Sequence, residues 1–576
     1  MKKSTLAILA AVVVVIVVAA VVVVYLIPRA IPAILVVGTT EREETFDPAD
    51  AYNYFSVNML QNTMSTLLTY DPSGDGSLDP MLLTEVPTTA NGGISTDQLT
   101  YTLHLRTGAT FEDGTSIDAD VVKYSLDRYL KAKVDPVTNE TRVPVPSFLL
   151  DPLRGASAYI TAFTAWAVEP NNSPNKTTLA TARDAAWTAY STGANAAVEV
   201  VNPTTIRVHM GRVWSPFPQL LAFTGTTPVN PDVFLMDAFK PTTIHSSGPY
   251  RLTTFVAGER AELDTNPRFF GTAPGTSKVV IKFYADSAGL ALAMDRGEID
   301  VAYRNLDPAD YERFAVDPTL RAAQGSSSVI RYIVFNNQTT EFSNVNIRRA
   351  LAYAADRTRI TQTVFLNSTE PLYSLIPRGM FGHTDVFQTR YARNIAAAQA
   401  LLQAEGYSTT NKLAFTLWYT PARYGTTEAD VAALVKQAWE ETGMVSVTLN
   451  SQEWSTYRVS FRSSAFSVFL LGWFPDYLDP DNYVFPFLHS ASGGTASFGS
   501  WYTNTTLDQL IELQAAQDVQ STERAQTLSD IQDALADDVP YLPMWQTTQQ
   551  VVYKPSVSGI VLDNSQFFRY FTIRIG

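Results

Sequence analysis

The chain has 576 residues, 46% hydrophobic and only 17% charged, so it is too long for a single core and too apolar to be disordered. Its formal charge is −14, and the first 33 residues hold Lys2, Lys3 and Arg29 with no acid, so the body beyond them is more acidic still; such a body repels nucleic acid, and no basic patch with interleaved aromatics interrupts it. No cysteine occurs, which excludes disulfides, thiolate metal sites, a cysteine nucleophile and a lipid-modified cysteine anchor.

At the N-terminus, Thr5 to Ile27 runs without a charge behind Lys2 and Lys3. As a helix this stretch is about 35 Å long, enough to cross a hydrocarbon core of about 30 Å. A secretory signal has a shorter apolar region, about 7–15 residues, and a small-residue cleavage site. Ile31-Pro32-Ala33 makes a poor one. Residues 1–33 are expected to form an uncleaved membrane anchor, with a cleaved signal peptide as the alternative. In both cases residues 34–576 lie on the extracytoplasmic side.

"ILVVGTT" (34–40) reads as a buried strand, a short apolar run closed by Gly and Thr. "DPSGDGSLD" (71–79) places Asp71, Ser73, Asp75 and Gly76 as in the first half of a calcium loop, but Leu82 stands where a bidentate Glu is required. A tight turn between strands is the better reading. Across 99–130 the period changes. Tyr101, Leu103 and Leu105 alternate as a strand does; after "EDGT", Val122, Leu126, Tyr129 and Leu130 recur as a helix does, with Asp118 at its N-cap. Residues 131–200 are Pro- and Asn-rich around one weak helix, "ATARDAAWTAYSTGANAA", and read as an elaborated, partly looped insertion. Strands resume at "TTIRVHM" and "SKVVIKFY". Amphipathic helices follow at 346–360 and 528–543, the second ending at Pro540. Strands and helices alternate without a fixed repeat, which points to an α/β or α+β class.

Catalytic patterns are missing. None of the five histidines forms HExxH or sits at metal-ligand spacing with another, and neither a G-x-S-x-G elbow nor a Gly-rich phosphate loop occurs. The expectation is a binder: not an enzyme, with no cofactor and no metal.

Several stretches, in order, carry a resemblance: "ETFDPADAY", "LTYDPSGDGSLDPMLLTEV", "YTLHLRTGATFEDGTSIDADVVKYSLDRYL", "HSSGPYRL", "NPRFFG", "AMDRGEIDVAY", "VFNNQTTEFSNVNIRRALAYAADRTRI", "GWFPDYLDPDNYVFPFL" and "DVPYLPMWQ". Together they resemble the extracytoplasmic solute-binding proteins of family 5, the oligopeptide-, dipeptide- and nickel-binding components of ABC importers. The resemblance covers most of 34–576 except the insertion 131–200. It implies an α/β, two-lobed periplasmic-binding-protein-like fold with an extra subdomain. Lobe I would hold 34–328 and a return at 550–576, lobe II would hold 329–549, and ligand would lie in the cleft between them. The chain would act as a monomer with ABC permease subunits as partners.

In peptide-binding members of this family the motif G-W-x-x-D sits at the cleft, and its Asp pairs with the peptide's α-ammonium. Gly472, Trp473 and Asp476 match those positions. The chemistry agrees: an ammonium removed from water needs a charge partner and hydrogen bonds, and a carboxylate offers both. Trp473 would give a flat apolar surface tolerant of varied side chains; the competing reading makes it core and Asp476 a loop cap. Asp479 and Pro480 read as a helix start, at N-cap and N1. Tyr52 and Asn53, after "FDPAD", are expected to enter the cleft from lobe I, with Tyr250 near the hinge and Arg378 as a partner for a peptide carboxylate. The leading expectation is a membrane-anchored receptor that delivers peptides to an ABC importer. An oligosaccharide or other solute on the same fold is the alternative; a surface hydrolase or signalling receptor is a third.

Overall fold

The computed structural model describes residues 33–72, 76–421, 423–490 and 497–576. The anchor expected at Thr5–Ile27 lies outside the described residues, as do Ser73 and Asp75 of the calcium-loop test. Among the described residues no helix is long and apolar enough to cross a membrane. The flanks of that test, Leu68–Tyr70 and Leu78–Pro80, pair antiparallel, as a turn between strands requires.

The apolar run near the start forms the strand Ile34–Thr39, with Leu35 and Val37 buried at alternate positions. It lies within a seven-stranded sheet, flanked in parallel by Lys278–Phe283 and Val301–Ala302. Arg260–Thr265 and Tyr250–Val256 extend the sheet on one side, Gln549–Tyr553 and Arg321–Gly325 on the other, all antiparallel. A second sheet runs in the order Glu370–Pro371, Tyr541–Gln546, Ile330–Phe335, Val468–Trp473, Leu413–Tyr419 and Val445–Ser451. Ile330–Phe335 is buried at every position, its one charged residue, Arg331, included, as a strand covered on both faces must be. Ile347 and Leu351 of helix Val345–Ala354 share its core with Leu528, Ile531 and Leu535 of helix Thr522–Asp538.

The protein is two-lobed, one of these two large sheets in each lobe. The chain crosses between the sheets from Gly325 to Ile330 and returns from Gln546 to Gln549. The crossings are tied together: the Thr547 amide donates to the Val329 carbonyl (3.0 Å), the Gln546 side chain donates to the Ser327 carbonyl (2.6 Å), and the Ser327 and Thr547 hydroxyls meet at 2.9 Å. Two short adjacent crossings are what a hinge between rigid lobes needs.

A three-stranded sheet of Thr100–His104, Thr205–His209 and Val198–Asn202 adds a further layer to the first lobe. Helix Ala119–Leu130 packs on it, and its Val122 and Leu126 belong to the core that also holds Leu103 and Ile206. Asp118 caps that helix by accepting from the Val121 amide at 3.0 Å.

Three readings shift. The insertion is more regular than its composition predicts: Ala156–Val168 and Lys176–Ser191 form a helical hairpin around Tyr159, Phe163, Trp187 and Tyr190. The single helix expected over 346–360 is two, Val345–Ala354 and Arg357–Thr363, because Asp356 caps the second by accepting from the Arg359 amide (3.0 Å). The helix after the G-W motif spans Asp481–Leu488 with Pro480 at its N-cap, one residue later than expected, although Asp479 still accepts from the Asp481 amide (2.8 Å).

Candidate ligand-binding cleft

The strand Val468–Trp473 runs antiparallel to Ile330–Phe335, setting Gly472 opposite Arg331 and Trp473 opposite Ile330. A Cβ on Gly472 would fall 2.6 Å from Arg331 Cδ and 2.7 Å from its Nε. The space is filled because Arg331 lies flat behind the motif, 3.8 Å from the Tyr424 ring centroid and 5.1 Å from that of Trp545, with its Nη2 on Glu428 Oε2 at 2.6 Å. Gly472 therefore serves the fold through its missing side chain. Gly472→Ala should cost about 1–3 kcal/mol, the usual penalty of overpacking. Scanning fluorimetry should show a melting temperature several degrees lower; an unchanged value would mean that Arg331 can move aside freely.

Trp473 departs from the expected apolar wall. Its indole is packed in the core of the second lobe, edge-on to Phe487 (5.4 Å) and Phe498 (5.2 Å), and its Nε1 donates to Asn482 Oδ1 at 3.0 Å. The same Asn482 oxygen accepts from the Asp476 amide at 3.0 Å, and the Asn482 amide donates to Asp476 Oδ2 at 3.3 Å. Trp473 and Asn482 thus clamp the turn that carries Asp476. The later aspartates stabilise the surrounding chain: Asp479 takes both oxygens to the buried Arg524, and Asp481 accepts from Tyr477, Trp214 and Gln514.

Asp476 itself is 9% exposed and makes no ion pair among the described residues. Burial pushes its carboxyl up to about 7, with the Tyr52 hydroxyl and the Asn482 amide pulling the other way. Tyr52 comes from the first lobe, just before helix Tyr54–Thr63. Its hydroxyl is buried beside Asp476 without a hydrogen bond of full geometry, and burial first, then the Asp476 charge, holds it protonated. Two of the predicted site residues, one from each lobe, are therefore together.

The others are placed differently. Asn53 caps helix Tyr54–Thr63, accepting from the Ser56 amide (2.8 Å) and donating to the Arg42 carbonyl (2.9 Å), so both polar atoms of its amide serve the fold. Tyr250 corrects the expectation of a hinge-side ligand contact: it is fully buried in the first lobe's core, its hydroxyl 2.7 Å from that of Thr276. Arg378 is an exposed residue of the second lobe already matched by Asp385 (3.1 Å) and Glu370 (3.9 Å).

The lobes touch elsewhere as well. Arg304 of the first lobe lies over Tyr54 and reaches Phe474 of the second, Arg423 sits 3.7 Å from Glu44, and Thr426 donates to Asp307. Further along, the Tyr70 hydroxyl accepts from the Leu478 amide (2.8 Å). Sequence reasoning missed Tyr54, Arg304, Phe474 and Asn482. Phe474 and Asn482 stood inside the quoted motif; Arg304 ends "EIDVAYR" with no pattern to mark it.

A profile of the bacterial extracellular solute-binding proteins, family 5 (middle), matches residues 79–495. The chain belongs to that family. Among curated relatives it is 23% identical over 543 residues to the Escherichia coli protein named as a probable D,D-dipeptide-binding periplasmic protein, DdpA, covering 93% of this chain and 92% of that one. To the periplasmic oligopeptide-binding protein OppA of Salmonella typhimurium it is 24% identical, over 91% and 89% of the two chains. The solved structure of the Escherichia coli murein tripeptide binding protein MppA superposes with a TM-score of 0.74 at 21% identity, over 95% of this chain and 99% of that one. At that identity the superposition shows the shared fold.

Proposed function

We propose that this family 5 protein captures peptides in the cleft between its lobes and delivers them to an ABC importer, with Asp476 receiving the peptide's α-ammonium. One observation carries the reading: Asp476 is a buried carboxylate with no ion-pair partner among the described residues, beside Tyr52 across the lobe boundary. A buried carboxylate without a partner is costly, and a bound ammonium removes that cost. A neutral sugar would not. Relatives named for dipeptides and oligopeptides support the same ligand class. The test is the ligand that co-purifies with the native protein, released by denaturation and identified by mass spectrometry. Peptides with free amino termini are expected; oligosaccharides would turn the reading to the alternative.

We read the protein as a monomer held at the outer face of the cell membrane by Thr5–Ile27, whose uncharged length is the support. Full-length protein should then remain with native membranes through a high-salt wash, leave them in detergent, and keep its N-terminal residues. A mature form starting near residue 34 would replace the anchor with a signal peptide.

A further inference from the structure

Six Asn-x-Ser/Thr sequences occur, beginning at Asn139, Asn171, Asn175, Asn337, Asn367 and Asn504. Outside the cytoplasm such a sequence can accept an N-linked glycan, which replaces one hydrogen on the asparagine Nδ2 and needs open space beyond it. The six differ in what the fold leaves available. Asn337 Nδ2 donates to the Phe335 and Ser500 carbonyls, each at 3.0 Å. Asn504 Nδ2 donates to the Tyr502 hydroxyl (3.0 Å) and to Asp538 Oδ2 (3.2 Å), while its Oδ1 caps helix Thr505–Ala516. At both positions the two Nδ2 hydrogens are in use, and a glycan would break one of the bonds. After Asn367 the required hydroxyl, Thr369 Oγ1, is buried. After Asn171 the Ser173 hydroxyl donates to Glu169, and Pro174 follows directly. Asn175 is exposed, but Lys176 and Thr177 already belong to the first turn of helix Lys176–Ser191.

Asn139 meets every requirement. It lies in the connection between the strands Lys133–Val134 and Thr141–Arg142, which pair antiparallel. Asn139, Glu140 and Thr141 are all exposed, and the Asn139 side chain makes no hydrogen bond among the described residues. The base of the loop is fixed: Asp135 accepts from the Val137 amide at 2.9 Å and from Arg142 Nη2 at 3.0 Å, and Arg142 also pairs with Asp50 at 2.7 Å. A loop pinned at its base and open at its tip presents the three residues together. Two positions before Asn139, Val137 is 85% exposed, apolar surface that a glycan would cover. The Asn139 φ of +58° by itself favours an asparagine in a turn, but it asks nothing of Thr141.

We propose that Asn139 carries an N-linked glycan. The donor is a lipid-linked oligosaccharide diphosphate. Nδ2 bonds to the anomeric carbon, the bond from that carbon to the diphosphate oxygen breaks, the lipid diphosphate departs, and Nδ2 gives up one proton. The proposal rests on the extracytoplasmic placement of residues 34–576 given above.

The test uses full-length protein purified from the membranes of its own cells, denatured and digested with trypsin. Cleavage after Lys133 and Arg142 releases Val134–Arg142, whose one acceptor sequence is Asn139-Glu140-Thr141. Mass spectrometry with electron-transfer fragmentation should place a sugar mass on Asn139 in most molecules and none on Asn337 or Asn504. Thr141→Ala, produced in the same cells, should lose the sugar entirely, and Thr141→Ser should keep it; neither variant touches the turn at Asn139. Unmodified Val134–Arg142 from wild type overturns the proposal. So does a sugar that persists in Thr141→Ala, or one found on Asn337 or Asn504 in place of Asn139. An impermeant amine-reactive label on intact cells checks placement separately. Labelled protein without the sugar overturns the glycan alone, and unlabelled protein without the sugar overturns the placement with it.

Discussion

Asp476→Asn will weaken binding of a free-amine peptide by roughly 30-fold or more, because truncating one member of a buried, hydrogen-bonded charge pair costs about 2–5 kcal/mol. The same peptide with an acetylated amino terminus should bind wild type poorly and bind the variant about as well as the free amine does. The pH dependence has a definite sign. Asp476 has its carboxyl raised to about 7 by burial, from an ordinary value of 3.8. Below pH 7 the acid must give up its proton before it can meet an ammonium, so wild-type affinity should fall by up to about tenfold per pH unit as the solution is acidified, and the Asn variant should lose that dependence. Stability without ligand moves the other way. Between pH 4 and pH 7 the folded protein holds a proton that the unfolded chain has released, so the stability contributed by the neutral form is lost as pH rises through about 7. The variant, neutral at every pH, should melt no lower than wild type at pH 8. A large drop in its melting temperature would make Asp476 a loop cap rather than a ligand partner.

Glu428→Ala should cause the largest loss of stability near the cleft, about 3–5 kcal/mol, the cost of breaking a buried ion pair by removing one partner. Glu428 is fully buried and Arg331 is 3% exposed, so the remaining guanidinium would have neither water nor an anion. Denaturant titration of the variant should show an earlier transition with a larger shift than any surface substitution produces. Peptide binding should weaken as well, because Arg331 backs Gly472, and the Tyr424 ring under it donates its hydroxyl to the Gly472 carbonyl at 3.3 Å. Replacing both residues, Arg331→Met with Glu428→Met, should recover much of the stability, since an apolar pair avoids the desolvation of two charges. If Glu428→Ala melts like wild type, water reaches the site and the stack is not the support described.

Much of the architecture is legible in the sequence because local period and capping chemistry agree with the tertiary outcome. The alternation at 101–105, the Asp118 cap and the stop at Pro540 all reflect forces acting within a few residues. Asp356 shows the limit: one capping side chain splits a run whose apolar period is continuous. The insertion reads as loop because its helices are stabilised by contacts between Tyr159, Trp187 and Tyr190, which periodicity in either helix alone does not reveal. At the candidate site the motif draws attention to Asp476, which is buried and has no ion-pair partner among the described residues. Its neighbours mislead: Trp473 is aromatic for the core, and Gly472 is small for Arg331. Tyr250 and Arg378 carry the right chemical groups, but the sheet buries one and surface carboxylates occupy the other. Arg304 could not be picked out among the arginines because what distinguishes it is a ring from each lobe and an Nη1 without an acceptor among the described residues.

The most direct measurement is a crystal structure of the protein bound to the peptide it retains best. The account predicts the peptide's α-ammonium within hydrogen-bond distance of the Asp476 carboxylate, about 2.7–2.9 Å for a charge-assisted pair, with Tyr52 closing over it from the first lobe. A peptide seated with its ammonium in solvent, or against another acid, while Asp476 keeps only Asn482 and Tyr52, would contradict it.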